Sequence, residues 1–390
     1  MALNDVRFVT TAGGLGRLPA EKDYVSAIIM TLADTPTGWT ASTLGKKYLS
    51  LAEAEADGII EGDADFGLLW YFIREFFRVA GASELYVIDA ADAAFTAQGI
   101  YNLSGGEIRQ AAWYTTSANA AIATHVGTVK TLCDALDTLK APLFVVNNVL
   151  DNTTAIDGTS QTDLASANAP TVSVLISGDN SGKGIDLAGD LSNDYVPALG
   201  AVLGQMAITK VGNSIGWVAQ SNLAGSGELT DTVFYDGQAY NAVADSVKDT
   251  LQTKRYLFLR RYPAVSGTYV NLDLTCVAAT SDLARIRNVR TLHKAKRVLY
   301  AALIPELQRP LQVAADGTLS PDTVKYFENL ASRPLERMVS AQELSNFQVI
   351  IDPDQDVLAT DILNIQVKLQ PLGAAETITV TIGFEAQLSN

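Results

Sequence analysis

The chain has 390 residues, 48% hydrophobic and 18% charged, which is room for two or three domains with a sizeable core and too apolar for a disordered polymer. A net charge of −15 argues against nucleic acid as a main partner. Two cysteines, Cys133 and Cys276, make no disulfide framework and suit synthesis in a reducing cytoplasm.

The opening "MALNDVRFVTTAGG" lacks a basic segment followed by an apolar one, so no signal peptide is expected. Residues 1–22 read as an arm, with a short strand in "NDVRFVTT" and a Gly/Pro-rich turn in "AGGLGRLP". An α/β region is expected over 23–250. "VSAIIMTLA", "ELYVIDA", "PLFVVNNV" and "PTVSVLIS" read as buried strands. "DFGLLWYFIREFFRVAG" has helical spacing, ends at Gly81, and is too short and too charged to span a bilayer. "SANAAIATHVGTVKTLCDALDTLKAP", "NDYVPALGAVLGQMAITKV" and "AYNAVADSVKDTLQ" supply further helices, and "SIGWVAQ" a possible strand. Strands alternating with helices predict an α/β fold with a mainly parallel sheet.

The C-terminal part reads differently, which makes the chain α+β overall. "RYLFLRRYP" and "GTYVNLDLTCVA" suit paired strands, and a helix is expected between Thr280 and Pro305, with Ser281 and Asp282 at its start. "SPDTVKYFENLASRPLERMVSAQEL" gives one or two helices. "NFQVIID", "ILNIQVKLQ" and "TITVTIGFE" read as strands; the last alternates Ile378, Val380, Ile382 and Phe384 with small or polar residues.

Catalytic and cofactor motifs are poorly supplied. "GDNSGKG" follows a strand, but has three residues between its glycines where a phosphate loop has four, and Gly184 follows Lys183, so a surface turn is expected. "GGLG" at 13–16 lacks a strand-to-helix setting. His125 and His293 stand in no zinc pattern, and Cys133 and Cys276 read as core residues. No cofactor and no metal are expected.

Residues 281–310 carry seven basic residues against two acidic ones. Arg287, Arg290, Lys294 and Arg297 share one helix face by spacing. That face is either solvated or an electrostatic dock for an acidic partner. The last strand, joined to the one before by "PLGAAE", either closes a hairpin or is donated to another molecule's sheet.

The segment "VIIDPDQDVLATDILNIQVKLQPLGAAETITVTIGFEA" resembles the C-terminus of contractile tail sheath proteins of phages, R-type bacteriocins and related injection systems. "YLFLRRYPAVSGTYVNLDLT", "RIRNVRTLHKAKRVLYAALIPELQRPL", "AITKVGNSIGWVAQSNL" and "GGLGRLPAEKDYVSAII" extend the resemblance over most of the chain. It implies a non-enzymatic subunit of hexameric rings, stacked helically around an inner tube and contracting without nucleotide to drive the tube through a membrane. Implied partners are further copies of the chain, the inner tube protein, and baseplate and tail terminator proteins. Nucleic acid and direct membrane insertion are not implied. Assembly would occur in the bacterial cytoplasm, in a phage tail or a particle later released.

On that resemblance Val6, Phe8 and Val9 are expected to form an N-terminal donor strand, and Ile378, Val380, Ile382 and Phe384 a C-terminal one. Leu363, Ile365, Val367 and Leu369 would belong to the acceptor sheet, and Pro371 and Gly373 to a hinge. The expected division is an arm over 1–22, an outer domain over 23–250, a core domain over 251–374 and a donating arm over 375–390. Arg287, Arg290, Lys294 and Arg297, or the helices at 321–343, are the candidates for contact with the inner tube. A carboxylate-using α/β hydrolase and a static tube or shell protein are the competing readings.

Overall fold

The computed structural model describes residues 22–40, 43–190, 195–225, 227–314 and 318–384. In chain order they give β1 (Ser26–Met30), β2 (Gly45–Tyr48), α1 (Leu51–Ala56), α2 (Gly67–Ala80), β3 (Leu85–Asp89), α3 (Ala97–Ser104), β4 (Gln110–Trp113), α4 (Ile122–Thr138), β5 (Phe144–Asn148) and β6 (Val172–Leu175). Next come β7 (Ser177–Asp179), α5 (Gly182–Asp190), β8 (Val196–Pro197), α6 (Leu199–Ile208), β9 (Thr232–Phe234), α7 (Asp245–Thr253), β10 (Tyr256–Leu257), β11 (Leu259–Tyr262) and β12 (Val265–Val270). The remainder holds α8 (Ile286–Leu303), α9 (Pro321–Ser340), β13 (Asn346–Ile350), α10 (Val357–Thr360) and β14 (Gln366–Gln370).

The expected α/β architecture is present. Seven strands form one sheet in the order β10-β6-β5-β4-β1-β3-β2, parallel except where β2 runs antiparallel to β3. Its central strands are apolar on both faces because helices cover both. Ile28, Val87, Ala112 and Val146 enter one core, and Ile29, Ile88, Trp113 and Val145 the other. On the first face, α2 buries Leu69, Phe72, Ile73 and Phe76 and stops at Gly81, whose φ of 65° few residues other than glycine adopt. Helix α6 lies against α2 so closely that a Cβ at Gly200 would sit 2.2 Å from the Phe72 carbonyl oxygen. On the second face, α4 buries Val126, Val129, Cys133 and Leu136.

Three segments depart from expectation. "SIGWVAQ" forms turns, with Trp217 and Gln220 closing short backbone bonds to Ser214 and Trp217. The large sheet continues past residue 250, because Tyr256 and Leu257 pair with Val174 and Leu175. Helix α8 begins at Ile286, not near Ser281; the amides of Ile286 and Arg287 are taken by the carbonyl and carboxylate of Asp273, thirteen and fourteen residues upstream. Apart from these, "TITVTIGF" forms no strand within the chain.

The C-terminal module packs α8 on α9, with a two-stranded antiparallel sheet, β13–β14, against α9. Ser320 caps α9 by accepting from the Thr323 amide, and Pro321 fills its first turn. Among the described residues, no helix is long and apolar enough to cross a membrane.

Candidate functional site

The expected acceptor residues sit beside a sheet with open edges. Phe347 faces Leu369 and Val349 faces Val367 across β13–β14. These four pack on Ala295, Leu335, Met338 and Leu344. Leu363 and Ile365 precede β14 and join a neighbouring cluster with Leu319, Phe327 and Ile351. They also line an open groove of about 760 Å³ with Leu303, Leu307 and Phe327. Among the described residues the sheet has no third strand, so both outer edges keep unpaired backbone groups. Two strands alone are marginal in water, and open edges recruit partners.

The expected donor strand lies bare. Ile378, Val380, Ile382 and Phe384 are 79%, 71%, 87% and 108% exposed, the last figure meaning a side chain with no cover at all. Val6, Phe8 and Val9 lie outside the described residues. Pro371 and Gly373 lie in the segment leaving β14, where the Pro371 carbonyl accepts from Ser345 Oγ at 2.9 Å and Gly373 has open space around it.

The basic face of α8 points inward, which corrects the expectation of an open dock. Arg287 is 9% exposed, Arg290 4% and Lys294 8%. Arg287 pairs with buried Asp273 at 2.7 Å and reaches Glu376 at 3.3 Å. Arg290 donates to the Met206 and Thr209 carbonyls at the end of α6, where helix carbonyls lack partners of their own. Burial pushes its guanidinium down to about 10. Lys294 bridges Asp23 at 2.5 Å and Glu343 at 2.8 Å, and Arg297 reaches Asp23 at 2.5 Å. Cations that cannot stay hydrated are stable inside a protein only when paired in this way.

One partner, Glu376, ends the motif that joins the last two strands. Arg285 Nε and Nη2 meet its two carboxylate oxygens at 2.6 Å each. Sequence reasoning passed over Arg285, Asp23, Asp273, Glu343 and Glu376 as a set. The excess of cations at 281–310 signalled that carboxylates must come from elsewhere, but not from where.

The remaining motifs are structural. "GDNSGKG" is a strand–turn–helix rather than a plain turn, running from β7 into α5. Its anion position is taken by the chain itself: Glu228 accepts from the Lys183 amide at 3.0 Å, and its carboxylate lies against Gly182. Buried carboxylates do converge there, but each is engaged. Glu75 pairs with Arg74 and Arg78, and Glu228 with Arg74. Asp179 accepts from Tyr71, Ser181 and the Leu229 amide. Burial pushes Asp179 up to about 6. Burial also pushes both cysteine thiols up to about 12, as core residues require. Among the described residues, no group of three or more His, Cys, Asp or Glu could hold a metal.

This architecture is that of contractile-system sheath proteins, as the sequence resemblance implied. The fold matches a chain of the PVC sheath complex of an extracellular contractile injection system in its contracted state, at TM-score 0.65 and 14% identity over 99% of both chains. A chain of the anti-feeding prophage baseplate matches at 0.62 and 16%, again over 99% of both. The sheath tail protein of Desulfitobacterium hafniense matches at 0.52 and 11%, over 93% of this chain and 96% of that one. Residues 3–272 match the N-terminal domain of DUF2586 and residues 282–389 its C-terminal domain, so the chain belongs to the DUF2586 family. Among curated proteins, none is similar enough in sequence to match.

Proposed function

We propose that this chain is the structural subunit of a contractile sheath, without enzymatic activity. Copies form hexameric rings stacked helically around an inner tube, joined by terminal strands added to neighbours' sheets. Contraction uses energy stored at assembly and consumes no nucleotide. The observation that carries this reading is the bare apolar segment 377–384 on a chain whose own β13–β14 sheet has open edges. An exposed row of Ile, Val, Ile and Phe is an aggregation liability in a monomer and an asset in a subunit with a designated acceptor. The full-length fold likeness to sheath chains supports the same reading.

Val6, Phe8 and Val9 supply the second donor, and Leu363, Ile365, Val367 and Leu369 the acceptor side. The inner tube then meets α9 rather than the basic face of α8, since Lys325, Asn329, Arg333 and Glu336 form an exposed strip. Baseplate and terminator proteins cap the stack. The particle is built in the bacterial cytoplasm, as a phage tail or a released injection device. The test compares purified full-length protein with a chain ending at Glu376 by negative-stain electron microscopy. Hollow cylinders from the first and none from the second are expected; cylinders from both would remove the last strand from assembly.

A further inference from the structure

We propose that helix α8 holds the roots of both terminal arms, so that Asp23 and Glu376 are positioning residues that set where each donor strand leaves the subunit. The inference rests on the strand-donation reading above. Asp23 stands three residues before β1, and Glu376 immediately precedes the bare apolar segment 377–384. Both are carboxylates, and both are bound by the same helix. Lys294 and Arg297 hold Asp23, while Arg285 and Arg287 hold Glu376. From residue 287 to 294 the helix rises about 10 Å, which fixes the spacing of the two roots.

The neighbouring contacts make the arrangement rigid. Lys22 pairs with Glu84 at 2.8 Å at the large sheet, while adjacent Asp23 turns to α8, so the N-terminal root is gripped from two sides. Arg290 ties α8 to the end of α6, and Lys296 ties it to Asp137 of α4 at 2.6 Å. At the other root, residues 371–376 are held at both ends, by Ser345 on the Pro371 carbonyl and by the Arg285–Glu376 fork. The donor strand therefore pivots after Glu376 and not at Pro371 or Gly373. A two-point fork fixes direction as well as distance, which a single lysine contact would not.

The anchor is tested on the unassembled chain by spin labels at Tyr300→Cys and Thr377→Cys, the two native cysteines being buried. A narrow distance distribution is expected, broadened by E376Q and not broadened further by E376Q in an R285Q background. Cylinder yield should fall several-fold in E376Q and D23N, with the thermal midpoint of the unassembled chain little changed for E376Q. An unaltered distance distribution in E376Q overturns the proposal, as does a broadened one with normal cylinder yield. The chain ending at Glu376 keeps the anchor and lacks the strand. If it still forms cylinders, the strand-donation reading fails, and with it any role of the anchor in assembly. If it forms none while E376Q assembles normally, only the positioning role fails.

Discussion

Arg285 and Glu376, ninety-one residues apart, meet fork to fork with both nitrogen–oxygen distances at 2.6 Å. The hydrogen bonds from Arg285 hold the Glu376 carboxyl below its ordinary value of 4.5. A depressed carboxylate contributes anchoring that is complete above the ordinary value and lost as pH falls through the lower folded value. The arm root should therefore stay fixed at neutral pH and release only in acid. The nitrogen chemical shift of the Arg285 side chain should titrate with a midpoint below 4.5; a midpoint at or above 4.5 would contradict the pairing.

Arg287 neutralises Asp273, which is fully buried and itself caps the start of α8. Burial drives the Asp273 pKa up while Arg287 opposes it. R287M strands that carboxylate and should destabilise the unassembled chain by about 3–5 kcal/mol in equilibrium denaturation. R287M/D273N should recover a large part of the loss. Equal losses in the single and double variants would mean that the pair contributes no more than its packing.

Two glycine-to-alanine changes in helices should act in opposite directions. G200A places a methyl against the Phe72 backbone and should cost about 1–3 kcal/mol by forcing α6 off α2. G127A, on the exposed side of α4 with open space around it, should stabilise by about 1 kcal/mol through helix propensity. Denaturation midpoints of the two variants check both signs at once.

Asp179 and His293 bend the pH profile in opposite senses. Burial raises Asp179 from 3.8 to about 6, so its contribution is full below 3.8 and lost as pH rises through 6. Burial and neighbouring cations lower His293 from 6.5 to about 3, so its contribution is full above 6.5 and lost as pH falls. D179N removes only the first. Between pH 6 and 4 the thermal midpoint of D179N should fall more steeply than that of the parent chain. Parallel curves would show that Asp179 does not titrate there.

Much of the fold was legible because its signals are local. The strands 26–30, 85–89, 144–148 and 172–175 are continuous apolar runs, and α2 and α4 carry clear helical spacing. The site was legible only in part. Periodicity placed Arg287, Arg290, Lys294 and Arg297 on one face, but cannot say whether that face looks out. The answer depended on Asp23 and Glu376, far away in sequence, and on the bare ends of α6. Long-range pairing also explains the late start of α8, whose cap is Asp273 and not Ser281 or Asp282. "SIGWVAQ" has strand composition, yet Gly216 sits against the Val270 carbonyl, where a Cβ would approach to 3.0 Å. Alternation in 377–384 reads as a strand, yet the segment forms none within the chain, because alternation does not name the sheet.

The most direct test of the account is electron microscopy of the full-length protein beside the chain ending at Glu376. Hollow cylinders from the full-length chain that are lost on removing 377–390 are the predicted result. Compact particles from both chains would contradict the sheath reading itself.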